Sequence, residues 1–430
     1  MISYLKRVSG RISSNSLVQN SFWAVFGNGA GNALLLLAGI LIARLLGKDV
    51  YGEYGFVKST MFYIASFASL GLGVTTTKFI AQYLSDSPHY VKSVVKDSLK
   101  LTLLFSCSIA FVLVCFAAPF ANLLKEPSFK SAFQVLAVII VFRALTTTQI
   151  GLLAGFKEFK RVAINGLLAG SFMLLICIPL TYYLGLKGSL LALLLSQVFN
   201  AIINFRSILD VISHLENQSN KSFKMELFRF SFPVALQESS FVVSHWGAIT
   251  LLTMFSAFGE VGLYTAASQW NSIIMMIPGL LSNVILSYLA SSVAKVDQHN
   301  RTIGRMLTIN FVSTFIPFVL IYCTANIIAA FYGPTFTNMS SVMRVLTFAT
   351  IFESCSQVFK SELLAQSKVW LLFSLRFLRD FALISSLYIV LANNGGSHGA
   401  MAYSWCNVIT SFLFFVSLAI SLVVIKKQKS

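Results

Sequence analysis

Ten charged side chains stand inside apolar stretches of the chain: Lys58, Arg143, Arg344, Lys360, Arg376 and Arg379, against Glu238, Glu353, Glu362 and Asp380. Charges in such surroundings are costly to place, about 2.5–3.5 kcal/mol for a central Arg, Lys or Asp on insertion scales, so they mark function or a partner. Arg143 lies twelve residues into its stretch, with Thr146 and Thr147 at i+3 and i+4 on the same helical face. Two readings fit it: an anion-binding group beside water, or one half of a buried pair with Glu238 or Glu353. Arg376, Arg379 and Asp380 form a stripe at spacing 0, 3, 4. Arg376 and Asp380 can pair at i, i+4, which leaves Arg379 uncompensated within its own helix. Glu353, Gln357 and Lys360 share a second face, and Ser231, Glu238 and His245 recur every seven residues on a third. Lys58 and Arg344, near the ends of their stretches, are read as snorkelling groups. Polar stripes on several helices with more bases than acids predict a wet, cationic cavity. Phosphate oxygens are the natural match for an Arg fork.

The elements that must hold these groups are legible from composition. The apolar share is 56% and the charged share 11%, with a mean hydropathy of +0.78. So few charges cannot cover a water-soluble surface, and the solvent for most of the chain is lipid. Twelve stretches of membrane length follow one another, from 20–43 to 398–424. The run from Phe22 to Ala43 is too long for a signal-peptide core and is read as a retained first span. The gaps on one side carry 21 Lys and Arg and those on the other side 5, which places both termini in the cytoplasm. The net charge of +17 is dispersed over these gaps, so no nucleic-acid surface is expected. The six cysteines lie in apolar stretches without metal or disulfide spacing. No Walker A, zinc or haem motif is present, no cofactor is expected, and no catalytic constellation points to an enzyme.

A constant offset runs through the chain. Gly52-Glu53-Tyr54 returns as Gly262-Leu263-Tyr264 after 210 residues, and Gly185-x-x-Gly188 returns as Gly396-x-x-Gly399 after 211. Leu153-Ala154 with Lys157 likewise returns as Leu364-Ala365 with Lys368, after 211. Half a chain of offset over an even number of spans means two parallel six-helix repeats. The expected organisation is a bundle over 1–209, a cytoplasmic linker over 210–228 and a second bundle over 229–430.

The stretches Ala43-Arg44-Leu45-Leu46-Gly47, Tyr51-Gly52-Glu53-Tyr54 and Leu70-Gly71-Leu72-Gly73 carry a resemblance, as do Gly259-Glu260-Val261-Gly262-Leu263-Tyr264 with Ala266-Ala267 and the turns at Gly185 and Gly396. The chain resembles the Wzx-type O-antigen and polysaccharide flippases of the multidrug/oligosaccharidyl-lipid/polysaccharide exporter superfamily. The resemblance implies an all-α polytopic membrane protein, a V-shaped pair of six-helix bundles around a cationic lumen, in the bacterial inner membrane. It implies movement of an undecaprenyl-diphosphate-linked glycan between leaflets by alternating access. Arg143, Arg376 and Arg379 would then hold the pyrophosphate, with Lys360 assisting. Glu238 and Asp380 match the places of ion-coupling acids, which would use H+ or Na+. A polysaccharide polymerase and a chain-length regulator are the protein partners such a role leaves open. A multidrug cation antiporter of the same superfamily would want a negative cavity, and here six bases face four acids. A membrane polymerase or glycosyltransferase would need a larger outer loop.

Overall fold

The computed structural model describes residues 14–123, 129–213, 215, 222–279, 281, 285, 296–366, 368–393 and 396–429, and their regular structure is all helix. In chain order the helices are α1 (Ser14–Ala68), α2 (Leu72–Asp86), α3 (Val91–Cys115), α4 (Ala117–Leu123), α5 (Phe129–Gly155) and α6 (Phe159–Ser213). The second half contributes α7 (Lys224–Phe255), α8 (Phe258–Ile274), α9 (Val296–Tyr332), α10 (Met339–Ala365), α11 (Val369–Asn393) and α12 (Gly399–Lys429).

Two of these helices are too long for one crossing. α1 and α6 each run for 55 residues, about 80 Å at 1.5 Å per residue, against a hydrocarbon core of about 30 Å. Each is broken at a glycine in the left-handed half of backbone space, Gly47 at φ 73° and Gly185 at φ 57°. Each therefore makes two passes, the second pass of α1 continuing into α2. With the remaining long helices this makes about twelve passes among the described residues.

The repeat is visible in the elements. α5 and α10 are both 27 residues long, and their starts at Phe129 and Met339 lie 210 residues apart. The next helices start at Phe159 and Val369, again 210 apart. The turn glycines Gly185 and Gly396 both have positive φ.

The chain divides into two compact units, one of Met1–Leu45 with Val57–Val243 and one of Leu46–Phe56 with Ser244–Ser430. In the first, Leu72, Ile80, Val94, Leu152, Phe223 and Leu227 form a buried core. Asp97 of α3 accepts from the Phe223 backbone N–H at 2.7 Å and from Ser222 Oγ at 3.3 Å, which satisfies free donors at the start of α7. In the second, Leu363, Leu372, Leu418 and Leu422 pack between α10, α11 and α12. Here the segment 46–56 lies backbone to backbone against α8. A Cβ at Gly52 would strike the Phe258 carbonyl, and a Cβ at Gly262 would strike the Lys48 carbonyl. The two contacts are related by the repeat. Tyr51, fully buried in this seam, accepts a hydrogen bond from Gln269.

Large apolar side chains such as Phe111, Leu175, Tyr183 and Trp370 are more than two-thirds exposed. Lipid is the solvent that accepts such a surface. The protein is an all-α multi-pass membrane protein.

Candidate functional site

Within the second unit, three helices bring their polar stripes to one place. α12 packs against both α10 and α11, and Asn407 and Ser411, four residues apart, share the α12 face. Arg379 of α11 is the hub. Its Nη1 donates to Asp380 Oδ1 at 3.0 Å, and its Nη2 to Asn407 Oδ1 at 3.3 Å and Ser411 Oγ at 3.4 Å. Glu353 Oε1 of α10 stands 4.0 Å from Nη2 and accepts from Asn407 Nδ2 at 3.3 Å and Ser411 Oγ at 3.4 Å. Arg379 and Asp380 side chains are 11% and 3% exposed, so the pair is screened by little but its own partners. Breaking a buried pair of this kind by removing one member costs about 3–5 kcal/mol.

The spacing argument left Arg379 uncompensated, and the structure corrects this. An i, i+1 neighbour points to a different side of a helix, but the long Arg side chain folds over and reaches it. Lys360 of α10 lies within electrostatic reach of Arg376, Arg379, Glu353 and Asp380. So of the substrate-binding candidates Arg379 is joined to the coupling candidate Asp380 and to Glu353, while Lys360 and Arg376 stand on the same two helices, α10 and α11, within electrostatic influence of them. In the same unit Tyr403 Oη sits 3.4 Å from His245 Nδ1 and stacks on Tyr264 at a centroid distance of 4.1 Å. Asn407, Ser411 and Tyr403 were not singled out in the sequence, although Tyr403, Asn407 and Ser411 already fall at helical spacing on α12.

Arg143 lies in the first unit. Its half-buried guanidinium makes no hydrogen bond or ion pair among the described residues. The hydroxyls expected beside it are spent on the helix itself: Thr146 donates to the Phe142 carbonyl at 2.6 Å and Thr147 to the Arg143 carbonyl at 3.0 Å. Thr bonding back to i−4 is the local alternative to reaching outward. Arg143 and Glu353 are equivalent positions, 210 residues apart, and the equivalents of Arg379 and Asp380 are Ala169 and Gly170. A Cβ on Gly170 would sit 3.0 Å from the Leu34 Cβ, so that position is used for packing α6 onto α1. The same unit holds a buried amide ladder, in which Asn165 Nδ2 donates to Asn204 Oδ1 at 2.8 Å and Asn204 Nδ2 to Asn200 Oδ1 at 3.0 Å.

Two further expectations fall elsewhere. The side chain of Glu238 lies outside the described residues. Arg344 turns along α9, donating to the Tyr322 carbonyl at 3.3 Å and to Asn326 Oδ1 at 3.4 Å. Among the described residues no group of three His, Cys, Asp or Glu is arranged to hold a metal ion.

The polysaccharide biosynthesis protein family matches residues 17–293. The lipid III flippase of Escherichia coli is 24% identical over 59% of this chain and 62% of its own length. The EPS I polysaccharide export inner membrane protein EpsE of Ralstonia nicotianae is 22% identical over 88% of this chain and 89% of its own. Among solved structures, the inward-facing form of a multidrug resistance MATE family transporter of the MOP superfamily superposes with a TM-score of 0.79. That likeness covers 93% of this chain and 96% of that one at 15% identity, which establishes a shared fold.

Proposed function

The chain belongs to the polysaccharide biosynthesis protein family, and from that premise we propose that it is a flippase of the bacterial inner membrane. Its cargo is an undecaprenyl-diphosphate-linked oligosaccharide, an O-antigen or related surface-polysaccharide unit. It is carried from the cytoplasmic to the periplasmic leaflet by alternating access.

The observation that carries this reading is Arg143, a guanidinium midway along a membrane-spanning helix with no ion pair among the described residues. Such a group is expensive to keep unless an anion visits it. A pyrophosphate supplies that anion, and Arg offers it a two-pronged fork. Lys360 and Arg376 add positive charge in the second unit. The sugars need a polar path, while the polyprenyl tail stays in lipid, so only the headgroup crosses through protein. Relatives named for lipid III flipping and polysaccharide export support the same class of cargo.

The test is reconstitution of the full chain into liposomes with a fluorescent or radiolabelled polyprenyl-diphosphate oligosaccharide, following its exposure in the far leaflet with an impermeant reagent. Transfer should exceed that of empty liposomes, and an imposed H+ or Na+ gradient should accelerate it if the protein is ion-coupled. Equal rates with and without protein, under every gradient, would sink the proposal.

A further inference from the structure

We propose that the polar cluster of the second unit is a cation site whose occupant is part of the chain: the guanidinium of Arg379. Four oxygens from three helices converge on it, namely Glu353 Oε1 of α10, Asp380 Oδ1 of α11, and Asn407 Oδ1 and Ser411 Oγ of α12, at 3.0–4.0 Å from Nη1 or Nη2. Two carboxylates, an amide oxygen and a hydroxyl are the donor set that a hard monovalent or divalent cation selects. Asn407 and Ser411 also donate to Glu353, so the cage is braced across α10 and α12 as well as closed around the charge. Among the described residues the Nε of Arg379 is buried without a hydrogen-bond partner. The guanidinium is therefore held by its Nη edge alone, placed by the cage and not by a fork matched on every side.

The first unit provides the contrast that makes the pairing informative. At the positions 210 residues earlier Ala169 and Gly170 stand for Arg379 and Asp380, and Arg143 stands for Glu353, so these three groups of the cage have no counterparts there. The two carboxylates and the internal cation thus occur together in one repeat and have no counterparts 210 residues earlier in the other.

The consequence is that the native chain has no need of a dissolved cation at this place. Asp380, expected to couple transport to H+ or Na+, is engaged by an internal counter-ion. Arg379, expected on the substrate, is a positioning residue that ties α10, α11 and α12 together. Arg376 and Lys360 remain as nearby charges, and His245 faces the same region from α7. They temper the affinity that an emptied cage would have for Na+ but leave its shape.

The experiment uses the purified full-length protein in detergent and reads its unfolding temperature, so it does not depend on which substrate is carried. At constant ionic strength the native protein should respond alike to Na+ and to choline. Arg379→Ala should unfold at a lower temperature, because it removes the guanidinium that Glu353, Asp380, Asn407 and Ser411 hold in common. Guanidinium ion at low millimolar concentration should restore much of that loss, Na+ should restore less, and choline, too large for the cage, none. Should Arg379→Ala fail to accumulate, Arg379→Lys, which keeps a cation among the same oxygens, should accumulate and be indifferent to guanidinium. A native protein stabilised saturably by Na+ over choline would overturn the proposal. So would an Arg379→Ala protein indifferent to guanidinium, or an Arg379→Lys protein that accumulates no better than the alanine one.

Discussion

Arg143 and Glu353 occupy the same place in two copies of one helix and meet opposite fates. Glu353 is enclosed by Asn407, Ser411 and Arg379, whereas the Arg143 guanidinium has no hydrogen bond or ion pair among the described residues. If Arg143 serves the substrate pyrophosphate, Arg143→Ala should insert and accumulate normally, since deleting a membrane-embedded charge lowers the insertion cost. Transport should then fall about ten- to hundredfold, the equivalent of one charge-assisted hydrogen-bonding group. Arg143→Lys should keep part of the rate, because the point charge survives while the bidentate fork is lost. Surface-glycan display measured beside membrane abundance separates the cases. A drop in abundance with the alanine variant, rescued by neutralising a carboxylate, would instead mark a structural pair. The types of these residues were legible in the sequence. Which base meets which acid was not, because Arg379 reaches Asp380 through side-chain length that spacing rules ignore.

Among the elements, the seam between the segment 46–56 and α8 places the tightest demand on sequence. Two helical stretches touch through Gly52 and Gly262 so closely that each backbone carbonyl fills the other's Cβ position. Gly262→Ala should therefore destabilise by roughly 1–3 kcal/mol, the usual cost of overpacking, despite alanine's better helix propensity. Gly304→Ala, at an exposed point of α9 where a Cβ meets nothing, should be neutral or gain a few tenths to about 1 kcal/mol from propensity. Unfolding temperatures of the two variants check the claim, and equal behaviour would contradict it. The repeat of Gly-x-Tyr after 210 residues was visible in the sequence. That the two copies lie against each other, repeat to repeat, was not, because like motifs far apart in a chain carry no address for each other until the helices pack.

For the whole molecule, the charge asymmetry of the gaps makes a topological prediction. Reporter fusions after Asp86, Asn217 and Gln298 should read cytoplasmic, and fusions after Gly333 and Asn394 periplasmic. A periplasmic signal after Asn217 would reverse the orientation of the second half and with it the parallel repeat. The sequence by itself determined the solvent, the number of passes and the half-chain repeat. Those properties are sums over many residues: apolar length against bilayer thickness, and basic residues against one face of the membrane. Single errors average out in such sums. Only the tertiary structure decided the polar chemistry. It spent Thr146 and Thr147 on their own helix, closed Glu353, Asp380, Asn407 and Ser411 around Arg379, and moved the segment 46–56 into the unit formed by the second half. These outcomes turn on a few ångströms of side-chain reach between helices that are distant in the chain, and helical periodicity tells which face a residue occupies, not what stands opposite.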